Sequence, residues 1–134
     1  MTDDFVTDVW TKLCANAPNG AICALTAQPM SIFRDAHIAQ LAKDMVNEVA
    51  AVGRAEGARL DESIADRIVS QFANIPDAEN HGNSMYYDRM AGRQMELDAR
   101  NGVILRLGAK HGIATPVCAT IYALLSAVDG RAPG

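Results

Sequence analysis

Aromatic residues are scarce in this chain, at 5% of 134 positions. Sheets draw on aromatic and β-branched side chains, so this scarcity argues against a β-rich fold and for helices built from the plentiful Ala, Leu, Val, Ile and Met. Cysteine is sparse as well. Cys14, Cys23 and Cys118 form no CxxC pair and are too scattered for a disulfide framework. Each sits among apolar neighbours, where a reduced thiol packs as a small hydrophobe, which implies a reducing, cytoplasmic compartment. Basic charge is in deficit: 12 Lys and Arg against 16 Asp and Glu leave a net charge of −4. There is therefore no electrostatic footprint for nucleic acid or for an anionic membrane. The most apolar run, Val117 to Val128, is too short to cross a bilayer. The acidic start, Met1 to Phe5, lacks the basic and apolar regions of a signal peptide.

Other absences bear on chemistry. No segment alternates with period two, and no Asn-Gly hairpin joins β-rich runs. There is no G-x-G-x-x-G and no G-x-x-x-x-G-K-[ST], so the usual cradles for a dinucleotide or a nucleoside triphosphate are missing. His37, His81 and His111 stand far apart without ligand-spaced partners, and no metal site is expected.

What is present is a globular balance, 49% hydrophobic and 21% charged, on a chain long enough for one core. Phe5, Val9, Leu13 and Ala17 recur at helical spacing and predict the apolar face of a first helix, capped by Asp3 or Asp4 and disturbed or ended at Pro18-Asn19-Gly20. Ala21 to Thr26 continues it as far as Pro29. Ile38, Leu41, Met45, Val49 and Val52 mark a second helix stopped by Gly57. A third starts from Asp61 as N-cap and carries Ile64, Ile68 and Phe72. After a polar loop, Ser84 caps a short piece over Met85 to Met90. Met95 to Lys110 reads as helix despite Gly102 and Gly108, whose compensation would be close helix–helix approach. Thr115-Pro116 opens a last helix with Val117, Ile121, Leu124 and Val128 as its stripe, before a polar, frayed tail. The expected architecture is a single all-α domain over residues 1–134, with five to seven helices and no sheet.

Candidate chemistry concentrates on few groups. Lys12 and Asn16 lie four apart and share a helix face. A lysine flanked by Trp10, Leu13 and Cys14 can donate a proton or bind a carboxylate, and the amide can bond a carbonyl or hydroxyl. Spacing alone favours a plainer role for Lys12, an ion pair with Asp8. Ser84 reads as a cap and Glu96 as a surface carboxylate near a helix start. Glu48, beside the second helix's apolar stripe, reads as a boundary residue and not as a catalyst.

Taken in order, several blocks form a pattern. Ser84-Met85-x-x-Asp88, Gly92-Arg93-x-x-Glu96, Asn101-Gly102 and Gly112-Ile113-x-Thr115-Pro116 resemble the C-terminal domain of ketopantoate reductases (2-dehydropantoate 2-reductases). Trp10-x-Lys12-Leu13-x-x-Asn16 resembles that domain's first helix, and Met45-x-x-Glu48-Val49 and Gly57 agree in place, so the likeness runs from about Asp4 to Val128. It implies an all-helical domain that works beside an N-terminal Rossmann domain for NADPH, with a 2-oxo acid reduced in the cleft between them. An apolar face left bare without that partner domain could drive self-association as a homodimer. By resemblance, Lys12 takes the place of the general acid, Asn16 and Ser84 bind substrate, and Glu96 bonds the cofactor ribose and orients Lys12. Two positions depart from the family pattern. Gly20 stands where a second asparagine is usual, with Asn19 turned about 100° away on a regular helix. Met30 replaces a polar substrate contact. Both keep open a different 2-oxo acid as substrate. Because the likeness starts with the chain, the sequence reads as a domain excised from a longer reductase or as a stand-alone remnant, inactive by itself. The competing function is a non-catalytic helical module for dimerisation or partner binding. The catalytic reading requires Lys12, Asn16, Ser84 and Glu96 to converge on one concave face.

Overall fold

The computed structural model describes residues 2–134, with side chains from Phe5 onward. The described residues form six α-helices, two short 3-10 turns and one π-helical turn, and contain no strand. The helices are α1 (Thr2–Thr26), α2 (Ala36–Ala55), α3 (Ile64–Ala73), α4 (Ser84–Met90), α5 (Val103–Lys110) and α6 (Pro116–Val128). The all-α expectation holds.

Helix α1 is the axis of the molecule and packs against α2, α3, α4 and α6. It runs unbroken through Pro18, where a break or disturbance was expected. Proline removes one amide from the ladder at a cost of about 3 kcal/mol. Here Ala17, Ala21, Ile22, Cys23 and Ala24 are all buried around it, and burial on both sides of the proline holds the helix together. The buried face is the expected one only in part: Ala17 is buried and Leu13 packs against the core, but the first half of the stripe is not buried. Phe5 and Val9 are 70% and 44% exposed, while Trp10, Cys14, Ala17, Ala21 and Ala24 enter the core. Two stripes at helical spacing compete in this sequence, and the one carrying Trp10 buries the larger area. The expected cap at Asp3 or Asp4 falls on side chains outside those described. Helix α6 is likewise rotated: Cys118, Ile121 and Leu125 are buried, and Leu124 is exposed.

The remaining helix ends follow local chemistry. Asp35 caps α2 by accepting from the His37 and Ile38 amides at 2.9 and 3.1 Å. At its other end Gly57, at φ +103°, closes a paired turn: the Ala58 amide bonds the Gly53 carbonyl at 2.9 Å, and the Gly57 amide bonds that of Arg54 at 3.1 Å. α3 begins at Ile64. Asp61 does not cap it but bonds the Ser63 amide and hydroxyl in the turn before it. Ile64, Ile68 and Phe72 are buried as their spacing required.

Residues 95–110 are not one α-helix. Residues 93–96 lack helical structure, Leu97 starts the helical path, and Asp98–Gly102 form a π turn leading into α5. The Val103 amide reaches the Asp98 carbonyl five residues back. The extra residue turns Asn101 into the core, where its amide donates to the Ala17 carbonyl at 3.4 Å. At Gly108 an added Cβ would meet the Ile113 carbonyl at 3.0 Å and Val52 of α2 at 3.6 Å, so this glycine does serve close approach. The tail is tied down where fraying was expected. Asp129 accepts from the Met95 amide at 2.8 Å, and the guanidinium of buried Arg89 donates to the Arg131 carbonyl.

Candidate functional site

A cavity of about 350 Å³ opens between α1, α4 and the π turn. That is within the roughly 300–1,000 Å³ usual for small-molecule sites. Its polar wall carries Asn16 and Asn19 from α1, Asn83 and Ser84 from the start of α4, and Arg100 from the π turn. Its apolar wall includes Leu13, Gly20 and Met85. A second, more open hollow of about 550 Å³ adjoins it, sharing Ala99, and is lined by Glu96, Asp98, Tyr122 and Asp129.

Ser84 is not the helix cap. Asn83 caps α4, its side-chain oxygen accepting from the Tyr86 amide at 3.0 Å. The Asn83 amide nitrogen donates to the Asn19 backbone carbonyl at 3.0 Å and to its side-chain oxygen at 3.3 Å, so α1 and α4 are laced together across the cavity. This leaves the Ser84 hydroxyl free of capping, and it accepts from Arg100 Nη1 at 2.9 Å. Arg100 Nη2 lies 4.0 Å from Glu96 Oε2. Ser84, Arg100 and Glu96 thus form one polar chain from the first hollow to the second.

The four residues singled out from sequence are partly brought together. Asn16 and Ser84 line the same cavity, and Glu96 lines the adjoining hollow. Lys12 lines neither, so the convergence of all four on one concave face is met only in part, by Asn16 and Ser84 and by Glu96 next to them, and not by Lys12. It is exposed on α1, one turn before Asn16, and makes no ion pair with Asp8 among the described residues. Its expected apolar shield is incomplete, because Trp10 and Cys14 point into the core. Glu96 adopts φ +58°, a left-handed conformation that costs a non-glycine residue about 1–2 kcal/mol. Its side chain is 75% exposed.

Two departures resolve physically. Gly20 sits where α1 meets Met85: a Cβ there would lie 2.8 Å from the Met85 sulfur, which fills the space of a larger side chain. Asn19, expected to point away, lines the cavity after all, because α4 wraps round that edge of α1 and brings Asn83 to it. Met30 is buried against Cys23 and lines neither hollow. Spacing gave no cue to Arg100 or Asn83. The sole cue was their nearness in sequence to Glu96 and Ser84.

In the second hollow, the Tyr122 hydroxyl donates to Asp98 at 2.5 Å, and that bond raises the phenol's pKa above its ordinary value. Burial pushes the Cys14 and Cys23 thiols up to about 12, and the Cys118 thiol higher, so none is a nucleophile at neutral pH. No group of residues suited to hold a metal occurs among the described residues. No helix of the described residues is long and apolar enough to cross a membrane.

The fold is an all-helical domain with a polar, amide-rich cavity at one side. Comparison with known proteins gives it a family. The model for the ketopantoate reductase PanE/ApbA C-terminal domain matches residues 4–129. The 2-dehydropantoate 2-reductase of Caulobacter vibrioides is 48% identical over 128 residues, covering 95% of this chain and 43% of that protein. That of Mycobacterium tuberculosis is 42% identical over 126 residues, covering 94% of this chain and 42% of that protein. Among solved structures, a dimeric ketopantoate reductase from Staphylococcus aureus superposes with a TM-score of 0.84 at 32% identity, covering 91% of this chain and 42% of that one. A D-mandelate dehydrogenase solved with NADH and anilino(oxo)acetate gives 0.79 at 30% identity, covering 90% and 39%. The chain belongs to the ketopantoate reductase family, as its C-terminal domain. It spans about two fifths of the length of these relatives.

Proposed function

We propose that this domain binds a 2-oxo acid and protonates the oxygen formed when its C2 carbonyl is reduced, as half of an NADPH-dependent reductase acting on 2-dehydropantoate. The observation that carries this reading is the cavity in which Asn16 and Ser84, far apart in sequence, line one wall with Glu96 next door. Family membership supports the reaction class. The fit to a nicotinamide cofactor is partial. The described residues offer no strand and no glycine-rich turn for a pyrophosphate, but the exposed Glu96 carboxylate is a ready acceptor for ribose hydroxyls. When bound, chiefly by a Rossmann domain working beside this one, the cofactor would supply the hydride.

The chain's own residues do the rest. Asn16 bonds the substrate's oxygen groups, and Ser84 binds its carboxylate. The Lys12 ammonium faces the developing alkoxide, stabilises it, and delivers the proton. Since Lys12 is exposed here, the facing domain must exclude water from it. The domain alone does not turn over. Its three buried, free thiols suit a cytoplasmic setting. Gly20, which lines the cavity, supports a second reading within the same chemistry, a reductase of another 2-oxo acid, to which the likeness to D-mandelate dehydrogenase also lends weight.

The test is an assay of NADPH oxidation with ketopantoate, using this domain joined to its dinucleotide-binding partner domain, beside a Lys12→Ala variant. A fall in kcat of more than about a hundredfold is expected for loss of the general acid. Unchanged turnover removes Lys12 from that role.

A further inference from the structure

Arg100 is the one charged residue in the wall of the substrate cavity, whose other polar groups are amides and a hydroxyl. A guanidinium carries five N–H donors in a planar fork. One of these is used by Nη1, on Ser84 Oγ at 2.9 Å. The nearest carboxylate, Glu96, stands 4.0 Å from Nη2, beyond hydrogen-bond length, and is largely in solvent. The Arg100 side chain is only 31% exposed, so a cation is kept at the cavity with donors to spare. The π turn is what puts it there. Asn101 in that turn points inward to Ala17, and its neighbour Arg100 lines the cavity.

The direction of the Arg100–Ser84 bond matters. Because Ser84 Oγ accepts from the guanidinium, its own proton is free to be donated elsewhere. Two donors, one cationic and one neutral, therefore sit side by side on one wall of a cavity otherwise lined by groups that bear no charge. That arrangement matches a planar monoanion, one oxygen on the guanidinium fork and the other shared with the hydroxyl.

We propose that Arg100 is the carboxylate clamp of this domain and sets its preference for 2-oxo acids over uncharged carbonyl compounds of the same shape. This rests on the function proposed above and adds to it the group that recognises the substrate's charge. Arg100 holds the carboxylate end, with Ser84 as co-donor, so the C2 carbonyl is directed along α1 toward Asn16 and Lys12. When the anion binds, it displaces Glu96 as the counter-charge of Arg100 and leaves that carboxylate to the adjoining hollow.

The test compares wild type with Arg100→Met, which keeps the stem and removes the fork, and with Arg100→Lys, which keeps the charge alone. Binding of ketopantoate, its methyl ester and 2-oxobutyrate to the 134-residue chain is measured by titration calorimetry. KM and kcat for the acid and the ester are measured in the two-domain form. Arg100→Met should weaken both acids by roughly tenfold to a hundredfold, the range for lost charge-assisted hydrogen bonds, mostly in KM. It should leave the ester within about twofold, and Arg100→Lys should fall between. Far-UV circular dichroism and Trp10 fluorescence establish that each variant is folded. Equal losses for acid and ester, or undiminished acid binding in folded Arg100→Met, overturn the clamp alone, with the Lys12 result standing. A wild-type chain that binds neither acid overturns the clamp and the function it rests on.

Discussion

Glu48 offers the sharpest test of how the fold is held. It projects from α2, and its two carboxylate oxygens accept from the Val117 and Cys118 amides at 2.9 and 2.8 Å. These are the second and third residues of α6, whose own N-cap, Thr115, makes no side-chain bond. Pro116 has no amide to satisfy, so one residue, 69 positions away from Val117, closes that helix end. Losing an N-cap acceptor costs about 1–2 kcal/mol, and losing a negative charge at a helix N-terminus about 0.3–1 kcal/mol more. Glu48→Ala should therefore destabilise the domain by roughly 1.5–3 kcal/mol. With an unfolding entropy of about 2.1 cal/mol/K per residue, that lowers Tm by roughly 5–10 °C at this length. Glu48→Gln keeps one neutral acceptor and should lose about half as much. Urea and thermal melts followed by far-UV circular dichroism, with Trp10 as the sole tryptophan reporter, measure both. A Glu48→Ala variant within about 0.5 kcal/mol of wild type, or a Gln variant equal to it, would refute the cap.

The Cys14 and Cys23 thiols, raised by burial to about 12, should resist thiol reagents at pH 8 until the protein unfolds. Because these folded values lie above the unfolded thiol value, stability is complete below about pH 8.5 and falls above it by up to about 1.4 kcal/mol per pH unit per thiol. Urea midpoints at pH 7, 9 and 10 would reveal the slope, and labelling at the rate of a free cysteine would contradict it. Glu56 is held below the ordinary carboxylate range, chiefly by its 2.5 Å bond to His111 and then by Lys110. Its contribution is present above the unfolded carboxylate value and is lost as pH falls through the lowered one. His111→Ala should return the Glu56 titration, followed by NMR, toward the ordinary value. Gly20→Ala places a Cβ 2.8 Å from the Met85 sulfur, so denaturation should show a loss of about 1 kcal/mol, low for overpacking because a thioether end can shift. No loss would mean that α1 and α4 are less tightly apposed than described.

Legibility differed by element. Helix α2 could be read in its apolar stripe and its stop, because its period and Gly57 are local signals that agree, while its Asp35 cap emerged only from the structure. Helix α1 could not. Its two apolar stripes are each sound amphipathic patterns, and only packing against α2 chose Trp10 over Phe5. Pro18 misled for a related reason: a local helix breaker was overruled by burial supplied by distant residues. Ser84 had the chemistry of a cap and stands one residue past it, and Asn83 took the position. At the candidate site, the spacing of Lys12 and Asn16 foretold a shared helix side, but it did not foretell that Lys12 would stay outside the cavity. Arg100 carries no local signature, since its place depends on a π turn that no apolar period announces.

Composition and periodicity were enough to make this an all-helical chain with buried, reduced thiols and no nucleotide loop, because helix propensity, hydrophobic spacing and glycine patterns act over a few neighbouring residues. Which side of α1 turns inward, which carboxylate closes α6, and which side chains gather around one cavity were settled only when the helices packed. Those outcomes depend on contacts between residues dozens of positions apart, such as Glu48 with Cys118 and Asn19 with Asn83, and no local pattern encodes such distances.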